Sequence, residues 1–512
     1  KKKSMTAISS AIGTERKARV SGYKIKKGFF DNATPNLPQI IAVFGEANTA
    51  NQAGLSVIKK EVTSAQEAAE LYGYGSPIHQ QMRILRPNSG DGVGGIPTIV
   101  FPQATDVGAT ATTHSWTITG AATKNVTHTI VVAGRRSLDF QNYSFAVAVG
   151  DTPTMVATKI KDAVNGVLSS PVTATSALSV VTLTTKWKGL TSAGLTTKID
   201  NGNVDAGLTY VQSASVAGAG TVSLADSLAQ FGNDWYTVVL NPYGSDDTIL
   251  SSLEQFNGFP DDLAPTGRYT GIVFKPFVAL FGSTLDDKDD LVAITNQASR
   301  INEVTNVLCP APKSDGFDCE ASANACVLFA RIAQDNPELD VNAKSYPDMP
   351  TPDDGLIGDM ADYNNRDFLV KKGCSNVILE NGRYQIQDFV TTYHPEGETP
   401  LQYAYPRNLV IDWNVKDGYG ILEGRNVKDH VLVLDGQVTD APKSVKPKQW
   451  KAVLYDYFDD LAVKALIKDP DFSKGSLRVE VDAINADRFN TFFRYKRTGI
   501  ARIQSTDAEA GF

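Results

Sequence analysis

A chain of 512 residues exceeds what one hydrophobic core holds, so about three or four domains are expected. With 42% hydrophobic and 21% charged residues it has an ordinary globular composition, and no apolar run approaches the ~18 residues of a membrane span. The net charge of −8 is unevenly spread: residues 1–30 carry +8 and residues 488–512 carry +3, which leaves −19 on the body between them.

Basic ends on an acidic body suit two partners, nucleic acid or a second copy of the same body, and solvated tails fit the same pattern. No apolar signal segment is expected behind the basic N-terminus. Cys309, Cys319, Cys326 and Cys374 are too few and too irregular for a disulfide framework. None forms a CxxC zinc motif, so reduced thiols are expected.

Residues 1–36 read as an extended arm, in which Tyr23 and Ile25 share one alternating face and lysines the other. A lone strand must add to a sheet elsewhere, in this chain or in another. A strand over 40–45 follows. Ser64 and Glu67 form a capping box for a short helix to Tyr72, and Ser76 with Pro77 starts a second helix to about Leu85. The glycine-rich run 90–95 follows a helix and lacks the Gly-Lys-Ser/Thr ending, so it reads as a linker rather than a phosphate cradle.

From Pro102 to Leu224 the composition changes. Charges are sparse, and threonine supplies roughly one residue in every five or six, which favours strands. Alternation at 116–119, 128–132 and 180–184 predicts strands, and Thr154 to about Leu168 predicts one helix behind a Gly-Asp-Thr-Pro cap. This is expected to be a self-contained, mostly β module set into the body.

The body resumes at Asp226. Apolar runs at 236–240, 271–274 and 306–308 alternate with helical patterns at 248–257 and 286–304, the signature of a partly parallel sheet covered by helices. A helix over 321–334 is followed by a hairpin, 376–380 and 384–386, turning at Asn381-Gly382. The last hundred residues predict a helix over 450–467 and strands at 477–481, 492–495 and 498–503, the last being alternating and basic. Both ends thus read as strand donors.

Such a sheet is often an enzyme scaffold, yet the chain offers no chemistry to match. His79, His114, His128, His394 and His430 sit far apart in sequence without a suitably spaced partner. No GxSxG elbow, HExxH, P-loop or kinase signature occurs. Cys309 reads as a buried structural thiol rather than a nucleophile. The acidic run 286–290 and the pair Asp246-Asp247 stand at helix starts, where they favour the dipole rather than a metal. No catalytic, cofactor-binding or metal residue is assigned.

Several stretches taken together resemble the Mu-like family of contractile tail sheath proteins. They are Ser64-Ala65-Gln66-Glu67-Ala68-Ala69-Glu70-Leu71-Tyr72-Gly73 with Gly75-Ser76-Pro77-Ile78-His79, then Asp234-Trp235-Tyr236 through Asn241-Pro242-Tyr243, then Gly382-Arg383 through Thr391-Thr392-Tyr393. The Thr-rich module, with Gly134-Arg135-Arg136 and Gly150-Asp151-Thr152, is similar to an insertion carried by that family. The likeness spans about residues 37–440, and the N-terminal arm departs from it.

The resemblance implies an α/β (α+β) multidomain fold: a mixed sheet flanked by helices, a mostly β inserted outer domain, and extended strand-forming N- and C-terminal arms. The expected divisions are an N-terminal arm (1–36), a discontinuous core (37–100 and 226–400), an outward-facing insertion (101–225) and a tube-facing C-terminal domain ending in an arm (401–512). It implies stacked hexameric rings of this chain in a helical polymer around a tail tube protein, with baseplate and tail terminator proteins as further partners. The polymer would contract to drive the tube through a host envelope during genome delivery. No cofactor, nucleic acid or direct membrane insertion is expected, and the location implied is a virion tail assembled in the host bacterial cytoplasm. The inter-subunit residues it implies are Val20, Tyr23, Ile25 and Phe29 in the N-terminal arm, and Phe492, Arg494, Lys496, Ile500, Arg502 and Ile503 in the C-terminal arm. Two other readings fit the bare sequence: an α/β enzyme with a β insertion, and a surface adhesin or glycan-binding protein built on the Thr-rich module.

Overall fold

The computed structural model describes residues 34–90, 92–399 and 401–510. Val20, Tyr23, Ile25 and Phe29 lie outside the described residues.

Five parallel strands and one antiparallel edge strand build the central sheet, in the order Asn306–Pro310, Val278–Ser283, Val238–Asn241, Ile41–Glu46, Thr98–Gln103 and Lys60–Glu61. The four strands Ile41–Glu46, Val238–Asn241, Val278–Ser283 and Asn306–Pro310 are buried at every residue, because both faces of the sheet are covered. Alternate side chains feed two clusters. Ile41, Val43, Leu240 and Leu280 face helices Pro77–Leu85 and Asp318–Asp335, while Phe44, Val239 and Ala279 face Phe231, Ile249 and Leu253.

The helix starts follow their caps. Ser64 accepts from the Glu67 amide at 3.1 Å, and Ser76 from the His79 amide at 3.2 Å. Such caps each contribute about 1 kcal/mol. Glu67 closes its box one residue early, on the Thr63 amide. Asn381 and Gly382 both take positive φ, as a two-residue hairpin turn between Asn376–Glu380 and Arg383–Asp388 requires.

The Thr-rich region folds as two main antiparallel sheets, one of four strands and one of three, with a short pair of Ser137–Leu138 on Gln141–Asn142 and helix Pro153–Asn165 packed on them. Its hydrophobic cluster also takes in Phe317 and Cys319 from the body, so the module is not self-contained. Toward the C-terminus, helices Pro406–Asn426 and Pro447–Val463 pack with two short antiparallel pairs, Arg478–Val481 on Phe489–Phe492 and Ile467–Lys468 on Lys496–Arg497.

Three further expectations need correction. Residues 271–274 form a turn, not a strand, and the sheet uses Val278–Ser283 instead. Arg268 forces that loop by donating to the carbonyls of Gly232, Asp234 and Lys275, which leaves Ile272 fully exposed. The helix expected over 286–304 is confined to Lys288–Thr295, because buried Arg300 bonds Glu254, Asp247 and the Ile294 carbonyl and turns the following loop inward. Residues 498–503 form no strand in the described chain: the Thr498 carbonyl accepts from Arg407, and the Thr498 hydroxyl donates to the Ala465 carbonyl.

Candidate functional site

In a doubly wound sheet the ligand crevice opens beyond the C-terminal strand ends, where the strand order reverses. Numbered along the chain, the parallel strands run 2-1-3-4-5, so the reversal lies between Ile41–Glu46 and Val238–Asn241. The chain fills this crevice with its own segment 187–192. Thr191 donates to Glu46 Oε2 at 2.5 Å and accepts from Trp187 Nε1 at 2.9 Å. The Trp187 ring tilts against Phe317 with centroids 5.5 Å apart. Gly189, at φ +113°, approaches so closely that a Cβ there would lie 2.4 Å from Glu46 Oε1.

Glu46 is fully buried. Burial pushes its carboxyl up to about 8, only partly offset by the Thr191 hydrogen bond, so the group is mostly protonated at neutral pH. The Tyr243 hydroxyl is buried without a partner among the described residues, and burial together with Glu46 raises it well above the usual phenol range. Asp318, at the start of its helix, is pushed up to about 6 by burial. In this buried joint between module and body, Glu46 and Tyr243 are neutral at neutral pH, whereas Asp318 is mostly ionised.

The other candidates are dispersed. Burial, with Arg83 adding, lowers His79 to about 4, and its Nδ1 accepts from the Gly75 amide at 2.9 Å. His114 bonds Thr197, His128 bonds Tyr210, and His394 lies between the Thr392 carbonyl and Asn296. Each of these is held by local partners, as is exposed His430 by the Lys428 carbonyl. All four cysteines are buried and free, and burial raises Cys309 well above the usual thiol range. Asp287 caps its helix through the Asp289 and Asp290 amides. Among the described residues no group of three His, Cys, Asp or Glu could hold a metal ion.

The C-terminal residues are brought together as a strap on the chain's own body. Phe492 ends a hairpin strand, and Arg494 lies over its ring at 5.7 Å. Lys496 reaches Asp469 at 2.5 Å and covers the Phe472 ring at 4.2 Å. Arg502 pairs with Asp340 and lies 3.6 Å from the Tyr405 ring centroid. Ile500 is half-buried, whereas Ile503 is 90% exposed. The firmest attachment was not expected from the sequence: Arg497 grips Asp412 with two hydrogen bonds of 2.7 and 2.5 Å. No local spacing signals it, because the partners are 85 residues apart.

No protein-family profile matches the chain. The tail sheath protein of the Mu-like prophage FluMu of Haemophilus influenzae is 24% identical over 441 residues, covering 84% of each chain. The resemblance read from the sequence is therefore found along most of the chain. Among solved structures, the sheath tail protein of Desulfitobacterium hafniense is 11% identical, covers 93% of this chain and 100% of its own, and superposes with a TM-score of 0.42. The sheath complex of an extracellular contractile injection system, in its contracted state, is 9% identical with coverage of 97% and 99% and a TM-score of 0.39.

Proposed function

We propose that this chain is a contractile tail sheath subunit. The observation that carries the reading is the likeness to the FluMu tail sheath protein, which runs through 84% of both chains rather than through one shared domain. The filled crevice at the sheet's reversal point supports a mechanical use of the α/β body.

In this reading, copies stack as hexameric rings around a tail tube, bounded by baseplate and terminator proteins, in a virion tail assembled in the host cytoplasm. The insertion faces outward. The N-terminal arm, through Val20, Tyr23, Ile25 and Phe29, and the C-terminal arm, through Phe492, Arg494, Lys496, Ile500, Arg502 and Ile503, link neighbours by strand addition. A donated strand is a head-to-tail contact that need not close, so repetition builds a helical tube. Basic ends on a body of −19 would steer docking. Contraction is rigid-body rotation from a metastable extended lattice to a tighter one, with its energy stored at assembly.

Electron microscopy of the purified chain tests this. Tubes or stacked rings are expected, and stable monomers at high concentration sink the reading. A C-terminal truncation must start after Thr498. Cutting at Arg488 would remove the strand Phe489–Phe492 and the packed side chains of Phe493 and Tyr495. Removal of 499–512 should leave a folded chain that no longer polymerises; unchanged tubes would show that this segment is not the linker.

A further inference from the structure

One face of the four-stranded sheet of the inserted module is exposed or half-buried along both of its rows among the described residues, and its register sets out side chains in those rows. Val216, Thr113, Thr184 and Thr173 lie side by side across the strands. The next row is Ala214, Ser115, Thr182 and Thr175, with Ser115 and Thr182 hydroxyls 2.9 Å apart. Neither row holds a charge. Neighbouring hydroxyls and methyls therefore repeat at about the 4.8 Å strand spacing.

The first row ends in an open cleft of about 820 Å³ between module and body. Lys186 and Lys188 line the module side, and Asn48, Asn51 and Tyr74 the body side. The Lys186 ammonium donates to the carbonyls of Leu168 (2.9 Å) and Tyr74 (3.4 Å). Neither lysine pairs with a carboxylate among the described residues. Glu70, on the opposite lip, is held by Gln66 at 2.8 Å. Asn48 is only 6% exposed, and among the described residues its side-chain oxygen accepts no hydrogen bond. A local positive cleft thus opens on a body that is acidic overall.

We propose that this face and cleft bind a polysaccharide carrying carboxylates. Threonine and serine hydroxyls exchange hydrogen bonds with sugar hydroxyls, the interspersed Val and Ala methyls pack on ring C–H groups, and the two lysines take the carboxylate. A second protein copy fits less well. Four short strands offer roughly 400 Å² of face, about half of what each side of a stable protein interface buries. Single-site binding is weak, and many copies in one particle would multiply it. The site stands whether or not the chain assembles into a sheath.

Affinity electrophoresis of the full chain through gels containing alginate, a uronate polymer, or neutral dextran tests the proposal. Alginate should retard the chain more than dextran does. Lys188→Glu and Thr175→Asp, both exposed positions, should each weaken retardation about fivefold with an unchanged circular dichroism spectrum. Lys443→Glu, on a remote exposed loop, should leave it unchanged. No retardation by alginate, equal retardation by dextran, or equal loss in the Lys443 variant each overturns the site.

Discussion

Glu46→Gln isolates the joint between the inserted module and the body. A carboxyl raised from 4.5 to about 8 holds a proton in the folded chain that the unfolded chain has already released. The stability this proton confers is fully present below pH 4.5 and is lost as pH rises through about 8. At ~1.36 kcal/mol per unit, the loss reaches about 3 kcal/mol at pH 7 and roughly 5 kcal/mol above pH 8. Glutamine keeps an acceptor for Thr191 and is neutral at every pH, while its buried amide lacks a partner and imposes a pH-independent cost of about 1 kcal/mol. The test is therefore the slope and not the intercept. Hydrogen exchange, corrected for intrinsic rates, would be followed at pH 6 to 9 in peptides spanning 41–46 and 187–192. The wild-type joint should open more readily as pH rises, and the glutamine joint should stay level. Parallel profiles for the two proteins would refute the assignment of Glu46 as a buried neutral acid.

Four further outcomes are expected. Arg135→Ala strands Glu320, whose side chain is 2% exposed and 2.8 Å from the guanidinium; thermal unfolding should show a loss of about 3–5 kcal/mol. Gly75→Ala puts a Cβ 2.2 Å from the Ser170 carbonyl oxygen at φ +81°, and should cost about 2–3 kcal/mol by the same measurement. Arg497→Ala removes two hydrogen bonds to Asp412, so limited proteolysis should cut the tail beyond Thr498 sooner than in wild type. Iodoacetamide should leave all four cysteines of the native chain unmodified at pH 7.5, because each is buried and protonated.

Local signals were readable wherever one short stretch carried both the cause and its result. Ser64, Ser76 and Asn381-Gly382 predicted their helix starts and hairpin because cap and turn chemistry reach only three or four residues. The strand at Val278–Ser283 was missed in favour of 271–274, an equally apolar run. What separates the two is Arg268, whose bonds to carbonyls 34 and 36 residues away have no signature in local hydropathy. The filled crevice was equally illegible. Glu46 and Thr191 are 145 residues apart, and Trp187 meets Phe317 only because both sheets close on one cluster. The alternating tail at 498–503 did carry a strand pattern, but a pattern states what a segment can pair with and not whether a partner is present.

The contacts that hold the two appendages differ in kind, and in the proposed assembly this decides which one can be exchanged. The module is joined through the Trp187–Phe317 pair, a buried protonated Glu46 and the buried Arg135–Glu320 pair. Opening it exposes apolar surface and a desolvated ion, with no equivalent contact waiting in water. Beyond the packed side chains of Phe493 and Tyr495, the C-terminal strap is held by Arg497 on Asp412, Arg502 on Asp340 and Arg407 on Thr498. Every one of these is a polar contact between this chain and itself, so a neighbouring copy presents the same Asp412, Asp340 and Arg407. Exchange of the strap between copies then breaks and remakes identical bonds, and the net cost falls to that of the connecting backbone. In the proposed assembly, a module that stays with its body and a C-terminal strap that can be exchanged would let subunits rotate while remaining linked.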